Sequence, residues 1–149
     1  MILEIIKHPD PILYAEADAV SMSELNSSHI QTLIENMIDT CIAANGLGLA
    51  ANQVGVNKKI FIARKGETNS FEVVINPRII ARSSRVTNYG EGCLSIPGEY
   101  FNIKRFKNIK IEYLNAHGEQ MLAKSRNKRQ AFCFQHEIDH LNGITLITK

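Results

Sequence analysis

The stretch Gln135-His136-Glu137-Ile138-Asp139-His140 constrains this chain more than any other. Two histidines four residues apart on a helix leave the same face about one turn apart, so both imidazoles can grip one ion. The glutamate between them stands where it can handle a proton of a bound water. Two nitrogens do not complete a site for a divalent metal, and the nine residues after His140 include no His, Cys, Asp or Glu. The third ligand is therefore expected from upstream. The chain has to fold a distant segment back onto this helix.

A chain of 149 residues fits one domain, 1–149, long enough to bury a single substantial core. The formal charge of +2 gives little electrostatic reason to expect nucleic acid or an anionic membrane as partner. No apolar run reaches membrane-spanning length, and Met1-Ile2-Leu3-Glu4-Ile5 lacks the pattern of a signal peptide. Three cysteines is an odd number, which argues against a disulfide framework and for a reduced, cytoplasmic protein. In that setting a cysteine is available as a thiolate ligand.

Hydrophobic spacing predicts a helix from about Ser23 to Ala44, with Ser23 or Ser27/Ser28 as cap and Asn45-Gly46 as its stop. Cys41 falls on its apolar stripe and reads as a core thiol. Strands are predicted at Lys59 to Arg64, Phe71 to Ile75, Ile79 to Val86 and Asn108 to Leu114. Gly66-Glu67-Thr68-Asn69 reads as a hairpin turn, Asn76-Pro77 as a break and Asn115-Ala116-His117-Gly118 as a polar turn with His117 in solvent. His8 likewise reads as a surface residue. The basic runs Lys104-Arg105-Phe106-Lys107 and Lys124 to Arg129 read as solvated, not as a nucleic-acid surface. The last helix is predicted to begin near Ser125 to Asn127 and to end at Leu141, with Gly143 just beyond. On it, Phe134, Ile138 and Leu141 face the core; Cys133, His136, Glu137 and His140 share the other face.

The segment Gly46-Leu47-Gly48-Leu49-Ala50-Ala51-Asn52-Gln53 superficially suggests a dinucleotide loop. That fold needs a strand before the glycines and a helix after them, whereas here the predicted order is reversed. Small residues that let another chain approach the backbone, with Gln53 offering an amide, explain it better.

Cys133 lies on the ligand face but about 7 Å along the axis from a metal midway between the histidines, too far for a bond of about 2.3 Å. It is expected to line the pocket. Cys93, in Tyr89-Gly90-Glu91-Gly92-Cys93-Leu94-Ser95-Ile96-Pro97-Gly98, sits in what reads as an irregular glycine-rich loop, able to aim a thiol and leave backbone N–H groups free. It is the preferred third ligand.

Taken together, Gly46 to Gln53, then Glu91-Gly92-Cys93-Leu94-Ser95, then Gln135 to His140 resemble the three ordered motifs of the peptide deformylases, and His8-Pro9-Asp10-Pro11-Ile12-Leu13 fits the opening of that family. The resemblance implies an α+β fold with mostly antiparallel sheets around a central metal-binding helix. It implies hydrolysis of the N-terminal formyl group from formyl-methionyl nascent polypeptides, with a metal-bound water as nucleophile. Cys93, His136 and His140 would hold one divalent metal, naturally Fe(II), with Ni, Co or Zn able to occupy the site. Glu137 would act as general base and acid, and the Gln53 amide and Leu94 backbone N–H would stabilise the oxyanion. Gly48, Leu47, Phe132 and Cys133 would bind the peptide and its methionine, and Glu91 would pair with Arg105 to brace the ligand segment. The implied partners are formyl-methionyl nascent chains, with transient proximity to the ribosome, in the cytoplasm or an equivalent compartment of an organelle or phage-infected cell. Three departures stand out: Asn52 where proline or threonine is common, read as harmless; Arg129 where an apolar pocket residue is frequent; and a short segment after His140. A zinc protease would leave Cys93 and Gln53 unexplained. A closed structural metal site would leave Glu137 idle.

Overall fold

Strand β2, Ile60–Arg64, is where the two faces of the fold separate. Its side chains alternate: Ile60 and Ile62 join one buried cluster, Phe61 and Ala63 another. A strand buried on both faces has to read as an unbroken apolar run, and Ile60-Phe61-Ile62-Ala63 does. The computed structural model describes residues 1–149. Around β2 it has a five-stranded antiparallel sheet in the order β1-β2-β3-β6-β7, comprising β1 Gly48–Ala50, β3 Phe71–Arg82, β6 Ile109–Leu114 and β7 Gln120–Lys124. Helix α2, Ser28–Ala43, packs Ile30, Leu33, Ile34, Met37 and Cys41 onto one face. Helix α3, Lys128–Leu141, packs Ala131, Phe134, Ile138 and Leu141 onto the other. Beyond α3 lies a separate two-stranded sheet, β4 Arg85–Cys93 with β5 Ile96–Phe106. The last helix thus runs between two antiparallel sheets, the α+β arrangement expected. The turns at Gly66 to Asn69 and Asn115 to Gly118 lie where predicted, and His8 and His117 are exposed.

Several elements differ from the sequence expectation. The first predicted helix is two: α1, Met22–Leu25, and α2, separated at Asn26-Ser27. Ser21 caps α1 in a reciprocal box with Glu24, and Ser27 caps α2, so two strong caps in seven residues split one apolar stripe. Asn76-Pro77 does not break a strand. Asn76 takes φ 51°, and its side-chain amide exchanges two 2.9 Å hydrogen bonds with the backbone of Val20. That clasp lets β3 run on through a bulge, where proline needs no ladder partner. The strand predicted at Ile79 to Val86 is therefore the end of β3, Ser83-Ser84, and the start of β4. Strands β1 and β7 were not anticipated. The supposed loop around Cys93 is a hairpin: Cys93 pairs with Ile96 across the two residues Leu94-Ser95, with irregular register between Asn88 and Cys93. Arg105 is not solvated but 2% exposed.

Candidate metal centre

Asn127 caps α3 through its side chain on the Gln130 N–H, and the helix then runs unbroken through the two histidines. Its core stripe fixes its rotation, which turns His136, Glu137 and His140 toward β1 and the β4–β5 hairpin. The hairpin is pinned against the helix by the Gln135 side chain. Its Oε1 accepts the Phe106 N–H and its Nε2 donates to the Phe106 carbonyl, both at 2.8 Å. This brings Cys93 to the helix. Cys93 Sγ lies 3.3 Å from His140 Nε2, which lies 3.1 Å from His136 Nε2. All three ligand atoms fall within 4.8 Å of one another. Metal bonds of about 2.0–2.3 Å at tetrahedral angles put ligand atoms roughly 3.5 Å apart, so one divalent ion fits.

Electrostatics point the same way. Burial disfavours the charged form of His136, yet contacts with Cys93 and Glu91 push its pKa up to about 10. The spot therefore favours positive charge, which a bound cation would supply in place of the proton. His140 is held well below its ordinary value by burial, with His136 and Arg105 adding to the effect, and stays neutral as a ligand must. Glu91 Oε1 sits 2.7 Å from His136 Nδ1. Burial pushes Glu91 up, but His136 and Arg105 override it and bring it down to about 2. Arg105 reaches Glu91 through Nη2 at 2.5 Å and Nε at 3.2 Å, and Asp139 through Nη1 at 2.5 Å. The expected Glu91–Arg105 pair is present, and Asp139 extends it.

Glu137 is 3% exposed, and its Oε2 has no partner within the protein. Burial, with the neighbouring Glu91 charge, lifts its pKa from 4.5 to about 7 against the opposing pull of His136. A carboxyl poised there can both accept and release a proton near neutrality. Gln53 stands in the 3-10 turn Ala51–Val54, its Oε1 held by the Ala50 N–H at 2.9 Å. That aims Nε2 at Ser95 Oγ, 3.1 Å, and Cys93 Sγ, 3.6 Å. The Leu94 N–H donates to no group within the protein. The N-terminal segment laces these pieces together: Ile6 N–H donates to the Gln53 carbonyl and His8 N–H to the Ser95 carbonyl.

A cavity of about 830 Å³ opens beside Glu137, lined by Leu47, Gly48, Phe132 and Cys133 among others. Gly48 is required by close approach: a Cβ there would stand 2.8 Å from Glu137 Oε1 and 3.0 Å from the Ile62 carbonyl. Cys133 lines the cavity as expected, and Cys41 is buried with its thiol pushed up to about 12 by burial. Arg129 lines the rim and is exposed. The residues expected at the metal and peptide sites are thus gathered here. Spacing in the sequence assigns no role to Ser95, Asp139 or Asn52, although all three lie inside the motifs named above. Asn52, read as harmless, is fully buried, and its Nδ2 donates to the His140 carbonyl at 2.7 Å.

The polypeptide deformylase family model matches residues 2–149. The chain belongs to the peptide deformylase family. A peptide deformylase of Xylella fastidiosa is 38% identical over 143 residues, 95% of this chain and 83% of that protein. One from Thermodesulfovibrio yellowstonii is 40% identical over 151 residues, 99% and 88%. Among solved structures, a class I type b peptide deformylase from Acinetobacter baumannii is similar with TM-score 0.94 and 35% identity, covering 100% of this chain and 99% of that one. The Thermotoga maritima peptide deformylase gives 0.90 and 35%, covering 99% and 96%. Peptide deformylases are metal-dependent hydrolases of the formyl amide on nascent chains, and this chain is one of them. No helix is long and apolar enough to cross a membrane.

Proposed function

We propose that Cys93, His136 and His140 hold one divalent ion and that Glu137 moves the proton during hydrolysis of formyl-methionyl peptides. The observation that carries this reading is the convergence of three ligand atoms within 4.8 Å beside a buried carboxyl held at about 7. An ion there supplies Lewis-acid activation of a water and of the formyl oxygen. Glu137 takes the proton of the attacking water and then delivers it to the departing amine nitrogen. Gln53 Nε2 and the Leu94 N–H donate to the formyl oxygen as it gains charge, from positions fixed before substrate arrives. Two of these groups, Cys93 and Leu94, are adjacent in the chain, which keeps ligand and donor at a constant offset.

β1 pairs only with β2, so its other edge is open. The peptide lies extended against that edge at Gly48, and its methionine enters the cavity by Leu47, Phe132 and Cys133. A formyl carbon bears only hydrogen, so the close approach at Gly48 admits it and rejects bulkier acyl groups. The resemblance to the peptide deformylases implies Fe(II) as that ion, with Ni(II), Co(II) or Zn(II) able to occupy the site. Its substrate emerges from translation, which implies work close to the ribosome in the compartment where formyl-initiated synthesis occurs.

The test is formate release from a formyl-Met peptide by protein loaded anaerobically with iron, or with nickel. Wild type releases formate; Glu137→Ala keeps its metal and loses at least about 100-fold in kcat. A Glu137→Ala variant of undiminished activity refutes the proton role. Loss of metal in that variant would assign Glu137 to binding instead.

A further inference from the structure

Two complementary atoms near the centre are left without partners. His140 turns Nε2 toward Cys93 and His136, so a ligating His140 carries its proton on Nδ1. That Nδ1 is buried and has no acceptor; His136, by contrast, has Glu91 at its Nδ1. The second atom is Asn52 Oδ1, buried and without a donor. Asn52 is tied to the same residue, because its Nδ2 donates to the His140 carbonyl at 2.7 Å. The carbonyl also fixes the orientation of the amide, since only the NH₂ end can face another oxygen. Oδ1 is thereby an available acceptor on a side chain already clasped to His140, and Nδ1 is a donor in need of one. An unmet buried donor or acceptor is expensive enough that such pairs find each other, directly or across one enclosed water.

We infer that Asn52 is a positioning residue for His140: its amide holds the backbone carbonyl and accepts the Nδ1–H, setting the tautomer and ring plane of the ligand. The inference rests on the reading of Cys93, His136 and His140 as ligands. It gives the two histidines different supports, a carboxylate behind His136 and a neutral amide behind His140. It also joins the turn that carries Gln53 to the helix that carries the metal, through one side chain.

The test compares Asn52→Leu and Asn52→Asp with wild type, using Co(II) as the probe. Both variants lose the bond to the His140 carbonyl, so both metal-free forms melt below wild type. Only Asn52→Asp keeps an acceptor for Nδ1–H. Asn52→Leu is expected to bind Co(II) about 10–100-fold more weakly in chelator competition and to alter its visible absorption. Asn52→Asp should keep affinity within a few-fold of wild type. Equal affinity in wild type and Asn52→Leu overturns the inference, as does an Asn52→Asp as weak as Asn52→Leu, which would make the residue purely structural. If wild type itself binds no stoichiometric Co(II), or His140→Ala binds it as tightly as wild type, the ligand reading fails rather than this one.

Discussion

Replacing Glu137 by glutamine in the metal-free protein should make it more stable, and only above a certain pH. Glu137 is buried at 3% exposure, and its carboxyl is lifted from 4.5 to about 7, chiefly by burial. The folded state therefore binds a proton that the unfolded chain has already released between those values. Stability contributed by Glu137 is complete below about 4.5, falls as pH rises, and is gone above about 7. The difference between those two pKa values corresponds to roughly 3 kcal/mol at 1.36 kcal/mol per unit. Glutamine keeps the shape without a charge to desolvate. Unfolding free energies from urea titration of wild type and Glu137→Gln, with chelator present, should agree within about 1 kcal/mol near pH 4.5 and diverge in favour of the variant by about 3 kcal/mol at pH 8.5. His136 and Glu91 titrate in both proteins, so their contributions largely cancel. A difference independent of pH, or one favouring wild type at high pH, refutes the assignment of a buried, strained carboxyl here.

Arg105→Leu leaves Glu91 and Asp139 without their shared cation; urea unfolding should register a loss of about 3–5 kcal/mol together with lowered metal content, and unchanged values for both would count against the brace. Gly48→Ala sets a methyl 2.8 Å from Glu137 Oε1 with the Ile62 carbonyl behind it, so the carboxylate has to give way; kcat/KM for a formyl-Met peptide should fall about 100-fold while bound metal stays stoichiometric. Retention of full activity would mean that the methyl is accommodated elsewhere.

What the sequence made legible was local. The histidine pair, the core stripe of α3 and its glycine stop all follow from helical spacing, and Cys93 followed from the want of any later ligand. Long-range partners stayed hidden. Arg105 lies in a run of charges that looks solvated; only the family resemblance points to Glu91, 14 residues away, and nothing points to Asp139, 34 residues away. Asn76-Pro77 has the local signature of a break, and only the clasp to Val20, 56 residues off, carries the strand through. The tip of the β4–β5 hairpin, Tyr89 to Gly98, reads as loop because glycines and exposed polar residues mask strand alternation; the turn at Leu94-Ser95 and the bulges become visible only once the two strands are paired. Asn52 looked interchangeable because its role depends on a carbonyl 88 residues later.

The β4–β5 hairpin has no strand partner in the five-stranded sheet. Seen mechanically, it is a separate plate bolted on by side chains: Gln135 to Phe106, Arg105 to Asp139, Glu91 to His136. The proposed ligand set straddles that joint, with Cys93 on the plate and both histidines on the body. An ion held by all three would work as a rivet, and its occupancy would report that the two parts have closed on each other. A chain with the plate undocked could hold neither the ion in this geometry nor the Leu94 donor beside it. With that ligand set, hydrolytic competence would be conditional on finished folding.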